Sequence, residues 1–264
     1  MPKAAGFVGL GSARGCIPSH REQLMGAVLE LAGVRKSFGA VRVIDDLSLA
    51  VEPRELVGII GPNGAGKTTL FNLVTGDLRA DAGSIRFLDE EIAAAPPHAR
   101  CRKGIGRSYQ IPQPFGDMTV FENLLVAATF GAAMKEDEAN AACVEVLDRT
   151  GLRRHANALA GRLTLLERKR LELARALATR PQLLLLDEIA GGLTEHEARE
   201  LVALIREIKG TGTTMIWIEH VMHALVAVAD RIVAINFGAK LADGTPEAVM
   251  ADPEVQRVYL GIEV

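Results

Sequence analysis

The residues best able to do chemistry form a run of nine, Gly61-Pro62-Asn63-Gly64-Ala65-Gly66-Lys67-Thr68-Thr69. The spacing is G-x-x-x-x-G-K-T, and the residue types suit one task. Glycines let backbone N–H groups turn inward around an anion, and a helix starting at the end of the loop adds favourable partial charge. Lys67 can reach the β- and γ-phosphates of a nucleoside triphosphate, and the Thr68 hydroxyl can ligate Mg²⁺. The motif carries weight only between a strand and a helix. The apolar stretch 56–60 before it and Leu70-Phe71-Asn72-Leu73 after it supply that context. A chance glycine-rich turn lacks such flanks, so nucleotide binding is expected.

A second group narrows the chemistry. Leu183-Leu184-Leu185-Leu186-Asp187-Glu188 is an aliphatic run ending in two acids. A buried strand puts Asp187 at its C-terminal tip beside the phosphate loop, where it can hold Mg²⁺ through water. Glu188 then faces the space beyond the γ-phosphate, where a carboxylate can orient or deprotonate an attacking water. Alone, such a strand could simply end in a charged loop. Paired with the phosphate loop, it points to triphosphate hydrolysis.

These groups need a sheet to hold them, and the chain alternates strand and helix patterns. Residues 28–31 and 41–51 have period-two stretches, and 56–60 reads as a buried strand. The helix opened by the phosphate loop covers 66–75, and a short strand follows at 84–89. Helical spacing covers 119–131, 137–150, 167–179, 194–210 and 221–229; strands are expected at 182–186, 213–218 and 231–236. The pattern implies a sheet core interrupted by a helical block near 115–165. There is no internal repeat.

Composition agrees. The 264 residues are 48% hydrophobic but only 4% aromatic, which suits an aliphatic core of parallel strands covered by helices. A net charge of −3 with interspersed signs gives no nucleic-acid surface. Arg168-Lys169-Arg170 reads first as a solvated helix face. Cys16, Cys101 and Cys143 are scattered and odd in number, as in a reducing compartment. His98 with Cys101, or His220 with His223, gives two metal ligands and no third. No apolar run approaches the roughly 20 residues that cross a bilayer. Residues 1–26, with five glycines, two prolines and no apolar periodicity, read as a flexible tail without a signal-peptide core, and Met25 is a possible start.

From about Leu29 to the C-terminus the chain resembles the nucleotide-binding subunit of an ABC transporter. That resemblance implies an α/β P-loop NTPase fold: a RecA-like parallel-sheet core, an antiparallel β subdomain, and a helical subdomain at about 115–165. It implies that Phe38, in Ser37-Phe38-Gly39, stacks on the adenine of ATP. It makes Gln110, in Arg107-Ser108-Tyr109-Gln110, the glutamine that senses Mg²⁺ and the attacking water. His220, in Ile218-Glu219-His220, becomes the histidine that contacts the γ-phosphate. Glu188, His220 and Gln110 are then catalytic, and Thr68, Gln110 and Asp187 hold Mg²⁺.

Departures accompany the match. Where the family carries Leu-Ser-Gly-Gly-Gln against the partner's ATP, this chain has Leu163-Thr164-Leu165-Leu166-Glu167. Thr164 keeps a hydroxyl, but leucines cannot give the backbone approach of two glycines. Ile189 replaces the usual Pro after the catalytic Glu, and Thr194 stands where Asp or Asn is common. Slower turnover is therefore expected at an ATP that meets Thr164, Leu165, Leu166 and Glu167 than at the one on Lys67.

Finer details are similar to ATPases of branched-chain amino acid importers, the LivG type. They are Gly104-Ile105-Gly106-Arg107-Ser108-Tyr109-Gln110, Val120-Phe121-Glu122-Asn123-Leu124, Arg170-Leu171-Glu172-Leu173-Ala174-Arg175-Ala176-Leu177, and a C-terminal family tail at about 238–264 that includes Val258-Tyr259-Leu260-Gly261. That implies an ATP- and Mg²⁺-dependent ATPase, peripheral on the cytoplasmic face of the membrane. Its partners would be two permease subunits, a second related ATPase or its own copy head to tail, and, indirectly, an extracytoplasmic solute-binding protein. A lipid or lipopolysaccharide exporter ATPase, or a non-transport ABC ATPase, shares the motifs and stays open.

Overall fold

A computed structural model describes residues 26–260. The tail expected at 1–26 (all but Gly26), the choice of Met1 or Met25, and residues 261–264 lie outside the described residues. The elements run β1 (Leu29–Phe38), β2 (Val41–Val51), β3 (Leu56–Ile60), α1 (Lys67–Thr75), β4 (Ala82–Phe87), β5 (Glu90–Glu91), α2 (Pro97–Lys103) and β6 (Ile105–Ser108). Then come α3 (Val120–Val126), α4 (Glu136–Arg149), α5 (Leu165–Ala178), β7 (Leu183–Asp187), α6 (Glu195–Gly210) and β8 (Thr214–Ile218). The described chain closes with α7 (Met222–Val226), β9 (Arg231–Asn236), β10 (Ala239–Gly244), α8 (Pro246–Ala251) and two short turns.

A six-stranded sheet ordered β10-β9-β3-β8-β7-β6 is parallel from β9 to β6, with β10 antiparallel at one edge. Strands β3, β7 and β8 are buried throughout. Strands covered on both faces read as unbroken apolar runs, which is why Leu183-Leu184-Leu185-Leu186 needs no polar alternation. The pleat still sorts them. Leu183 and Leu185 enter one core with Val57, Ile59 and Phe71; Leu184 and Leu186 enter another with Leu56, Leu124, Leu171 and Leu201. The first core is shared with an antiparallel sheet ordered β2-β1-β4-β5, and the second with helices α3 to α6.

Local departures have physical causes. The strand expected at 28–31 runs on to Phe38, because register shifts beyond Leu31 break the alternation that marks a strand. Edge strand β6 carries Gly106 and Arg107, and in edge strand β10 only Leu241 and Ala242 pack against the core, so neither gives a strand pattern. The helix expected at 119–131 is α-helical only to Val126 and then widens into a π-turn. The helix expected from 167 starts at Leu165, capped by Thr164. Most important, Lys169 does not lie on a solvated face: it is 3% exposed.

Candidate functional site

Four loops leave the carboxyl ends of β3, β8, β7 and β6 side by side, the edge at which open parallel sheets carry ligands. Strand β8, which leads to His220, lies between β3 and β7 in the sheet.

The phosphate loop is a close-packed turn. Gly66 sits at φ +103°, and a Cβ there would lie 2.7 Å from the Val43 carbonyl oxygen of β2. At Gly61 a Cβ would lie 2.3 Å from the Ile235 carbonyl oxygen. Gly64 is left-handed at φ +82° on the open side, beside exposed Asn63 and half-buried Pro62. Ala65 is buried; its N–H donates to Pro62 and its carbonyl accepts from Gly238. No side chain caps α1, so N–H groups of its first turn, where Thr68 and Thr69 lie, remain available to an anion. Buried Lys67 donates to the Gly61 and Pro62 carbonyls at 2.7 and 3.0 Å. Burial pushes its ammonium below the ordinary lysine value, against the raising effects of Glu188 and Asp187.

Thr68, Gln110 and Asp187 line one cavity of about 500 Å³ together with Arg107 and Glu172. A hydroxyl, an amide oxygen and a carboxylate are the hard donors that suit Mg²⁺. Among the described residues no three His, Cys, Asp or Glu side chains form a metal cluster. An ion here would be held by Thr68, Gln110 and Asp187 together with oxygens of its ligand. Asp187, 3% exposed, accepts from Arg107 Nη2 at 2.7 Å. That guanidinium also donates to Asn72 Oδ1 at 2.6 Å and lies over the rings of Phe71 and Tyr109.

Glu188 is the meeting point. One carboxylate oxygen lies 2.6 Å from His220 Nε2, and the other accepts from Gln110 Nε2. Its backbone is left-handed at φ +44°, a conformation that costs a non-glycine residue about 1–3 kcal/mol. Its N–H to the Ile218 carbonyl, 2.8 Å, ties it to β8. The structure thus brings Gln110 and His220 onto the two oxygens of the Glu188 carboxylate.

Two other sets of expected residues stand apart. Phe38 is 48% exposed at the β1–β2 hairpin, with the Lys36 ammonium 5.5 Å from its ring centre. Thr164, Leu165, Leu166 and Glu167 do not line the Thr68–Asp187 cavity. They form the cap and first turn of α5, where Thr164 and Glu167 exchange hydrogen bonds in a capping box. Glu167 also lies 2.9 Å from His155 Nε2. Leu165 is 44% exposed beside Gly192, in the loop after Glu188.

Arg107 stands in the sequence only as part of a motif, and Glu219 has no role there. Glu219 is 1% exposed; it accepts from the backbone N–H groups of Ala190, His220 and Val221. Its place directly before His220 was the one available signal. The C-terminal segment also reaches the site: Val258 and Tyr259 line a small cleft with Gly61 and Pro62. Burial, then the charges of Glu219 and Glu188, push the Tyr259 phenol up.

A phosphate loop on β3, an acid pair on β7 and a histidine after β8 define a P-loop ATPase. The family described as ABC transporter matches residues 44–191, and one described as branched-chain amino acid ATP-binding cassette transporter matches 239–264. The chain is 41% identical over 249 residues to the high-affinity branched-chain amino acid transport ATP-binding protein BraF of Pseudomonas aeruginosa, covering 89% of this chain and 98% of that one. It is 39% identical over the same length and coverage to LivG of Escherichia coli K12. The ADP conformation of MJ1267, an ATP-binding cassette of an ABC transporter, superposes with a TM-score of 0.82 at 30% identity, covering 89% of this chain and 99% of that one. The chain belongs to the ABC transporter ATP-binding family. It is an ATP-hydrolysing transporter subunit, which implies membrane permease partners. Among the described residues no helix is long and apolar enough to cross a membrane.

Proposed function

We propose that this chain powers uptake of branched-chain or related amino acids. It works on the cytoplasmic face of the membrane beneath two permease subunits, paired head to tail with a related ATPase or its own copy. An extracytoplasmic solute-binding protein delivers the solute. The names of BraF and LivG and the match at 239–264 support the solute class. In this reading the ATPase domain spans 27–264, with a helical subdomain at about 115–165 and the family tail at about 238–264.

The observation that carries the hydrolytic assignment is the convergence of Gln110 and His220 on Glu188. Phe38 stacks on adenine; the loop Gly61, Pro62, Asn63, Gly64, Ala65, Gly66, Lys67, Thr68, Thr69 wraps the phosphates. Thr68, Gln110 and Asp187 would hold Mg²⁺, which offsets charge developing on the phosphates. Glu188 takes the proton of the attacking water, while His220 and Gln110 fix the direction of its carboxylate. Thr164, Leu165, Leu166 and Glu167 face the partner's nucleotide. ATP closes the pair only because it binds the closed arrangement better than the open one.

Mass spectrometry of proteins co-purifying with the tagged chain from detergent-solubilised membranes tests the assembly. Two polytopic permeases and a second ATPase are expected; recovery of soluble proteins alone, with the chain absent from membranes, overturns the reading. Uptake of labelled leucine in reconstituted vesicles tests the solute, and uptake indifferent to ATP overturns it.

A further inference from the structure

Lys169 and Glu219 are buried, oppositely charged, and unused by the mechanism above. Lys169 lies in α5, the helix capped by Thr164. Its ammonium donates to the backbone carbonyl of Gln110 and lies 3.5 Å from that of Glu188. Glu219 follows β8 and works on N–H groups instead of carbonyls. One carboxylate oxygen accepts from Ala190 at 3.1 Å, and the other from His220 at 2.9 Å and Val221 at 3.4 Å. Together the two side chains grip the backbone of all three residues that form the Glu188 group, and of the loop that follows Glu188. Burying either charge is costly unless its hydrogen bonds are met and an opposite charge is near. Lys169 meets the hydrogen-bond condition through two carbonyls and Glu219 through three N–H groups. Burial pushes the Lys169 ammonium below its ordinary value, opposed first by the charge of Glu219 and then by those of Glu188, Asp187 and Glu172.

We propose that Lys169 and Glu219 are a buried positioning pair that sets the catalytic loops from behind, Lys169 holding Gln110 and Glu188 to α5, and Glu219 holding His220 to the loop at Ala190. Neither side chain is placed to meet nucleotide. The left-handed backbone of Glu188 gives the pair its importance: such a conformation persists only where the surroundings over-determine it. The pair also supplies a path by which a shift of α5, whose first turn faces the partner's nucleotide in the proposed assembly, reaches the Glu188 carboxylate. The inference rests on the hydrolytic assignment of Glu188, His220 and Gln110.

The full chain in complex with its membrane partner is assayed for ATP turnover, fluorescent ATP-analogue affinity and melting temperature. The variants are Lys169→Met, Lys169→Gln, Glu219→Gln and the double Lys169→Met/Glu219→Gln, with Glu188→Gln as reference. Groups that orient catalytic ligands are worth about 10- to 100-fold in activity, so kcat falls by that much in Lys169→Met while analogue affinity holds within about threefold. Lys169→Gln, which keeps two N–H donors, loses less. Glu219→Gln keeps one accepting oxygen and also loses part of kcat. The double variant loses less than the product of the singles, as coupled groups do. A kcat near wild type in both single variants, affinity falling in step with kcat, or full additivity overturns the proposal. Should Lys169→Met fail to fold, Lys169→Gln and Glu219→Gln decide by the same criteria. Normal turnover in Glu188→Gln overturns the hydrolytic assignment itself; loss there with wild-type Lys169 and Glu219 variants overturns only the pair.

Discussion

The proposed site has two unlike halves. The half that would hold this chain's own phosphates is built from loops at the ends of four neighbouring strands, and several of its groups are fixed by distant partners. Gly66 abuts β2, Asp187 pairs with Arg107 of β6, and Glu188 is tied to β8 and α5. The half that would meet a partner's nucleotide is a helix start whose contacts are mostly local. Thr164 and Glu167 satisfy each other, and Leu165 stands largely open. Preorganised charge comes from the sheet edge, while the helix start offers a hydroxyl already engaged in capping.

The largest effects should fall on the sheet half. Glu188→Gln keeps the shape but removes the proposed base; turnover drops by about 100-fold or more with ATP affinity retained, and closed pairs accumulate. Single-turnover kinetics and size-exclusion chromatography with ATP check this, and near-normal turnover removes Glu188 from its role. Arg107→Met leaves the Asp187 carboxylate buried without its partner. Breaking one side of a buried ion pair costs about 3–5 kcal/mol, read by urea denaturation at pH 7. A loss under about 1 kcal/mol would show that Asp187 is re-solvated there. Gly66→Ala must push a methyl towards the Val43 oxygen from a left-handed backbone, and nucleotide binding is lost before the fold is.

The same contrast explains what the sequence disclosed. The phosphate loop and the run ending in Asp187-Glu188 were legible because their meaning is local: spacing, flanks and a short aliphatic strand. The order β3-β8-β7 was not, since the strand between two motifs is chosen by long-range pairing. Lys169 was misread for a related reason. Helix α5 is buried on several sides, from Lys169 and Leu171 through Ala174 to Ala178, so charge in sequence did not mark a wet face. Glu219 carried no signal beyond its place before His220, because its partners are backbone N–H groups. Thr164 with Glu167, by contrast, is a capping-box pair readable from spacing alone. Seen only as a hydroxyl for a partner's phosphate, Thr164 concealed where α5 begins.

A mixed transporter would sharpen the comparison. If the second ATPase carries full Leu-Ser-Gly-Gly-Gln, ATP on Lys67 meets the better opposing surface. Lys67→Ala then removes most turnover, and the matching change in the partner removes less. Equal losses would show that leucines at 165 and 166 cost nothing.

The smallest effect concerns the cap itself. Thr164→Ala removes an N-cap worth about 1 kcal/mol, measured as a loss in unfolding free energy. The acid side of the box gives a pH signature. The Thr164 backbone N–H holds the Glu167 carboxyl below its ordinary value of 4.5, helped by the Thr164 hydroxyl and by His155 and Arg154 nearby. A carboxyl with a lowered folded-state pKa stabilises the fold above its unfolded value and stops doing so as pH falls through the folded one. Glu167→Ala therefore lowers the melting temperature at pH 7, and its gap from wild type narrows as pH drops below 4.5. A gap that stays constant to pH 3 would mean that the side chain's packing, not its charge on the helix start, holds the first turn of α5.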